Sequence, residues 1–367
     1  MTHRERLLTA LARGRPDRVP VTWELVFRSS HALTGRVGWQ AVCDAHRLVG
    51  SAICNLQGVG PRVHVHWPAG YGEEEAPAGK RGDWKLLRKT LRTPKGRLTW
   101  LVASGGIPND PLVDRTVEYL VKERSQYETV ADHFAAVARN SEIRNETAQE
   151  AVDYVGDDGL VNFWLSDSLY TLAGFRDPAE FIIDLMEVPS LMHQILEAVH
   201  ERTALFLHAF NESPANLLVW DSCWASTSLL NPRLAEEYVM PELRWAVASL
   251  RPGKLICVFV SGRMRDIAVM LADAGPDCMQ HFDATGGGDC DLAEIKGLLG
   301  RRVCIMGNYN PVILARGTLE EARAEALRCL TSAGPDGYIL STADEVPADA
   351  RLENMREVVR TAEEWTA

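Results

Sequence analysis

The chain has 367 residues, 46% of them hydrophobic and 24% charged, and carries a formal net charge of −11. That length suits a single barrel with insertions, and the composition is that of a globule with ample core. The acid excess argues against nucleic acid as partner, since neutralising phosphates takes a basic face, and no apolar run approaches the ~20 residues of a membrane span.

The start, Met1-Thr2-His3-Arg4-Glu5-Arg6, is charged and helical with no apolar signal core behind it, so no export signal is read. Eight cysteines without a C-x-x-C pair fit reduced thiols, and a cytoplasmic location is expected. Residues 3–14 read as a helix with Leu7, Leu8 and Leu11 on one face, closed by Gly14 and Pro16. A first strand covers 18–24 and runs into a polar segment with Arg28 and His31; a helix at 38–49 and a strand at 51–57 follow. From 58 to about 128 the rhythm changes. Glycines and prolines punctuate it, and 84–91 with 96–102 make a hairpin around Thr93-Pro94-Lys95-Gly96, an excursion that a helix at 126–140 closes.

A regular alternation then sets in. Helix 141–154 leads to strand 160–166, helix 178–211 to strand 216–221, and helix 232–250 to strand 254–260. Helix 263–274 leads to strand 278–283, helix 291–299 to strand 303–307, and helix 318–333 to strand 338–341, with a last helix at 352–365. Counting the two early strands gives eight βα units, hence an α/β fold, a closed (β/α)8 TIM barrel, read as one domain over 1–367.

In such a barrel the C-terminal strand ends converge on one mouth. The sharpest is Asn216-Leu217-Leu218-Val219-Trp220-Asp221-Ser222-Cys223-Trp224, a buried strand that breaks into an acid, a hydroxyl and a thiol. The other strand ends supply Glu24 and Arg28, Asn55 and Gln57, Asp167 and Tyr170, Ser261 and Arg263, His281 and Asp283, Asn308 and Asn310, and Asp344 and Glu345. Taken one at a time these are caps and turns; together they can orient a carboxylate and pass a proton. For metals, His64-Val65-His66 puts two imidazoles on one face of an extended segment, but Cys257, Phe259 and Ser261 make no zinc triad, and no metal ligands are assigned.

Several motifs resemble the uroporphyrinogen decarboxylase superfamily. They are Arg4-Glu5-Arg6-Leu7-Leu8 with Pro16-Asp17-Arg18-Val19-Pro20-Val21, then 303–311 with 317–321, and Gly337-Tyr338-Ile339-Leu340-Ser341 with Glu353-Asn354-Met355. The resemblance implies a (β/α)8 barrel and, commonly, a homodimer. It places Ser222 on the decarboxylases' serine and Tyr170 on their tyrosine, while their arginine-rich segment is missing, with Arg28 as stand-in. Their pyrrole-gripping acid falls at Gln57 or Asn55 and their late histidine at Asp344, so tetrapyrrole decarboxylation itself is not expected. The superfamily's other branch transfers methyl groups between corrinoid proteins and thiols on a zinc held by His-x-Cys and a later Cys; here those positions are Phe259, Ser261 and Asp344.

The expectation is therefore a metal-independent enzyme without cofactor, acting on a carboxylated small-molecule substrate, most plausibly a decarboxylase. Asp221, Ser222, Tyr170, Asp344 and His281 are its catalytic candidates, and Arg28, Arg263, Gln57 and Asn308 its substrate contacts. The alternatives are a methyltransferase or demethylase with a corrinoid protein partner, or a barrel that only binds a ligand. Were a metal present, His64, His66, Asp221, His281 and Asp283 are its candidate ligands.

Overall fold

The structure, a computed structural model, describes residues 1–106 and 114–366. They fall into two compact units, one of Met1–Gly60, Asn145–Leu165 and Phe210–Ala367, the other of Pro61–Arg144 and Ser166–Ala209.

In the first unit, strands Asn162–Ser166, Leu217–Asp221, Leu255–Val260, Cys278–His281, Cys304–Tyr309 and Tyr338–Thr342 form one six-stranded sheet in sequence order. The registered pairs are parallel, as helical crossovers require. Four of these strands are buried at every position, as expected where helices cover a parallel sheet. The circuit continues through thinner contacts. Val21 bridges Leu340 in parallel, the Ala52 N–H donates to the Val21 carbonyl at 2.8 Å, and Ile53 bridges Gly159. These two short segments and the six strands make up the eight units of the expected (β/α)8 order. Both are cut short locally: Pro20 has no N–H to donate, and Asn55 turns left-handed at φ 58°.

One end of the barrel is apolar. Leu7, Ala10 and Leu11 of helix His3–Leu11 pack on Ala52, Cys54, Leu160, Leu217, Cys257, Cys278, Cys304 and Ile339, several of them first residues of their strands. The helix starts in a capping box between Thr2 and Glu5. The thiols of Cys54, Cys257, Cys278 and Cys304 serve here as small apolar groups, and burial holds all four in the neutral form. Polar side chains gather at the opposite, C-terminal strand ends.

The second unit is larger than the excursion read at 58–128, part of which, 107–113, lies outside the described residues. Its sheet is a four-stranded antiparallel meander, Gly72–Arg81, Trp84–Thr93, Gly96–Ser104 and Asp114–Glu118, rather than a lone hairpin. A separate ribbon pairs Arg62–Val65 with Ser141–Arg144, so the helix expected from 141 begins only at Glu146. Two long helices are also interrupted. Pro189 divides Pro178–Glu187 from Pro189–Glu212, and Pro232–Tyr238 gives way to Met240–Ala248 before Pro241. The polar stretch carrying Arg28 and His31 is a helix, Phe27–Thr34, ended by left-handed Gly35.

Candidate active site

Strand Leu217–Asp221 delivers Asp221 to the barrel's C-terminal end with only 9% of its surface exposed. Its Oδ1 accepts the Cys223 N–H at 3.1 Å, and the Cys223 thiol is hydrogen-bonded both to Asp221 and to Ser261. Ser261, just past strand Leu255–Val260, places its hydroxyl 3.4 Å from Nδ1 of His281. On the other side of that ring, Nε2 meets a Glu24 carboxylate oxygen. A continuous polar line thus runs Asp221, Cys223, Ser261, His281, Glu24, drawn from four separate stretches of the chain. Asp344 joins at its end: one ligand atom each from Glu24, His281 and Asp344 lie within 4.8 Å of one another.

Electrostatics follow from burial. Desolvation pushes the Asp221 carboxyl up to about 6, partly opposed by its hydrogen bonds from Cys223 and reinforced by the charge on Glu24. Desolvation, with Asp221 alongside, drives the Cys223 thiol far upward and keeps it neutral. For His281, burial opposes protonation, but the carboxylates of Glu24, Asp344 and Asp221 outweigh it and raise the imidazole above its ordinary value. The ring is fixed edge-on against Phe259, centroids 4.3 Å apart. Its backbone lies in the left-handed region at φ 89°, followed by Phe282 at 52°. Two consecutive non-glycine residues there are strained, as is common where a side chain must be aimed. Gly307 permits this: a Cβ on it would lie 2.4 Å from the His281 carbonyl oxygen.

The remaining candidates separate into groups. Ser222 is fully buried and its N–H donates to the Phe259 carbonyl at 2.9 Å. Arg263 is exposed, with Asp289 at 4.0 Å, while Arg28 is ion-paired with Glu345 and Gln57 is half-buried. Asn308, expected as a substrate contact, is buried at the end of its strand. Its amide donates to the carbonyls of Phe282 and Cys290 and accepts from Arg328. Asp283 holds its own turn through the Thr285 N–H and hydroxyl. Tyr170 belongs to the second unit, on the short helix Ser168–Ala173 capped by Asp167. His64 and His66, also there, stack edge-on and lie beside Glu142 without completing a metal site among the described residues.

Residue by residue reading undervalued Glu24 and Cys223. Glu24 stood among the strand ends without a role because its partner His281 is 257 positions away.

A family profile described as Uroporphyrinogen decarboxylase (URO-D) matches residues 168–365, more than half of the chain. The chain belongs to this family. Uroporphyrinogen decarboxylases of Chlorobaculum tepidum and Chlorobaculum parvum are 25% and 27% identical over 185 and 186 residues, each match covering 49% of this chain and 50% of the relative. The chain therefore spans about half the length of the curated relatives it matches. A methyltransferase from Methanosarcina mazei superposes over 99% of both chains with a TM-score of 0.64 at 16% identity, a likeness of fold. The URO-D family is one of enzymes. No helix among the described residues is long and apolar enough to cross a membrane.

The zinc of the superfamily's methyl-transferring branch does not fit the positions that the resemblance assigns to it. Phe259 offers a ring, and the Ser261 hydroxyl is turned to His281, which leaves Asp344 as the one ligand of the three.

Proposed function

We propose that this URO-D family member is a decarboxylase for a carboxylated small or aromatic substrate, working by proton transfer at the barrel's strand ends. The observation that carries the reading is Asp221: a buried acid, held by Cys223, whose proton is retained up to about pH 6. In the proposed step the bond from the substrate carbon to its carboxylate breaks and CO2 leaves. The electron pair stays on carbon and takes the Asp221 proton, which solvent then restores. Exposed Arg263 can meet the incoming carboxylate. Arg28 can do so only by leaving Glu345.

The test is CO2 release from a panel of pyrrole- and benzene-carboxylic acids in D2O, with mass analysis of the product. One deuterium at the vacated carbon is expected, and Asp221→Asn should lower the rate by about 10²-fold or more. Wild-type turnover in that variant would remove Asp221 from the mechanism. A barrel that only binds its ligand would release no CO2 at all.

A second reading is methyl transfer with a corrinoid protein. The grouping of Glu24, His281 and Asp344, where a metal could activate an acceptor, supports it. A methylated aromatic that loses its methyl group to added cob(I)alamin would decide for it.

A further inference from the structure

We infer that Glu24, His281 and Asp344 form a binding site for one divalent transition-metal ion, built from nitrogen and oxygen donors. This goes beyond proton transfer by Asp221, which does not require it.

The geometry is the first support. One imidazole nitrogen and two carboxylate oxygens, from strand ends far apart in sequence, lie within 4.8 Å of one another. An ion about 2.0–2.2 Å from each donor spans donor pairs up to about 4.4 Å apart. An ion would take the place of the proton between His281 and Glu24, so that contact must open while Asp344 closes in by a few tenths of an ångström.

Charge balance is the second. Glu24 and His281 are 4% and 2% exposed, and among the described residues no lysine or arginine pairs with Glu24 or Asp344. Glu24 is answered by His281, so the second carboxylate, Asp344, leaves one negative charge on the solvent side of the group for a cation to meet.

The ligand histidine is also oriented from behind. Ser261 is hydrogen-bonded to Nδ1, leaving Nε2 toward the two carboxylates, the arrangement that fixes a ligating imidazole. The left-handed backbone at His281, made possible by Gly307, aims the ring there. Asp344 is exposed, so the solvent side leaves room for water or a substrate oxygen to complete the coordination. A donor set without thiolate suits Zn2+, Mn2+ or Co2+ better than a soft ion.

The test is calorimetric titration of the chelator-treated full chain with ZnCl2 and, separately, MnCl2, together with the visible spectrum of the Co2+-loaded protein. One equivalent should bind, and the cobalt spectrum should show d–d bands without a thiolate charge-transfer band. Asp344→Asn and Glu24→Gln should each weaken binding at least about tenfold, and Ser261→Ala by about tenfold. Cys223→Ser should leave affinity unchanged. Asp344 is exposed, so its variant should melt with the metal-free wild type, which separates lost ligation from lost folding. Asp221→Asn should keep the ion while slowing turnover, so the two proposals fail separately. Absence of stoichiometric binding, binding unaffected by Asp344→Asn and Glu24→Gln, or a thiolate band would each overturn the site.

Discussion

Asp184 and Asp221 are both buried carboxylates, one in each unit, and their surroundings are opposite. Asp184, fully buried, is answered on every side: Arg124 Nε at 2.7 Å, Arg176 Nε at 3.1 Å and the Tyr127 hydroxyl at 2.9 Å. Asp221 has a thiol and a peptide N–H, with the nearby charge of Glu24 working against its ionisation. The first arrangement locks helices together; the second keeps a proton available. A buried acid signals chemistry when its cations are missing, not merely because it is buried.

The comparison breaks most visibly at Asp184. Asp184→Ala leaves Arg176, itself 6% exposed, without its main anion, and a loss of about 3–5 kcal/mol is expected in urea denaturation. A loss under 1 kcal/mol would mean that water replaces the carboxylate and that the second unit does not depend on this cluster.

Asp221 should behave in the reverse sense. In the native chain it keeps its proton up to about pH 6, whereas unfolded it loses it near the ordinary 3.8. Between those values the native state binds more protons, so stability falls as pH rises through the window. About two units at ~1.4 kcal/mol each bound the effect at about 3 kcal/mol. Chelator-treated Asp221→Asn should lose this dependence and be no less stable than wild type at pH 7. An unchanged pH profile in the variant would mean that Asp221 is ionised throughout and is no acid catalyst.

The two units also differ in how much of them the sequence discloses. Buried parallel strands such as Leu217–Asp221 announce themselves as short apolar runs, and their helices by a longer period, so six of eight strands are found within a few residues. The meander is harder to read. Strand Gly72–Arg81 is exposed at nearly every position, so no alternation marks it, and its partners are chosen by cross-strand pairing. The site is legible only as a set of strand ends. Asp221, His281 and Asp344 stand out as acids and a histidine after apolar runs, but which of them meet depends on barrel closure and on the inverted backbone at His281. Asn308 shows what a strand end hides from the sequence: its amide holds the neighbouring carbonyls of Phe282 and Cys290.

Helix ends give a smaller effect of known sign. Thr318 and Glu321 form a capping box at the start of helix Leu319–Ala333, the Thr318 hydroxyl accepting the Glu321 N–H at 3.2 Å. Thr318→Ala should cost about 1 kcal/mol, read by thermal melting, without altering the barrel's chemistry. No change would show that neighbouring packing, not the cap, sets that helix start.

The smallest effect belongs to the exposed sheet. Arg88 bridges Glu118 across the meander at 2.6 Å, but both side chains are about 40% exposed, 38% and 42%. Water screens such a pair and the long side chains lose freedom in making it, so Arg88→Ala should barely shift the melting temperature, and less still in high salt. Asp184→Ala should stay several-fold more damaging under the same conditions. If instead Arg88→Ala matched it, the exposed strands would draw real stability from their ion pairs, and buried and exposed carboxylates could no longer be ranked by the cations around them.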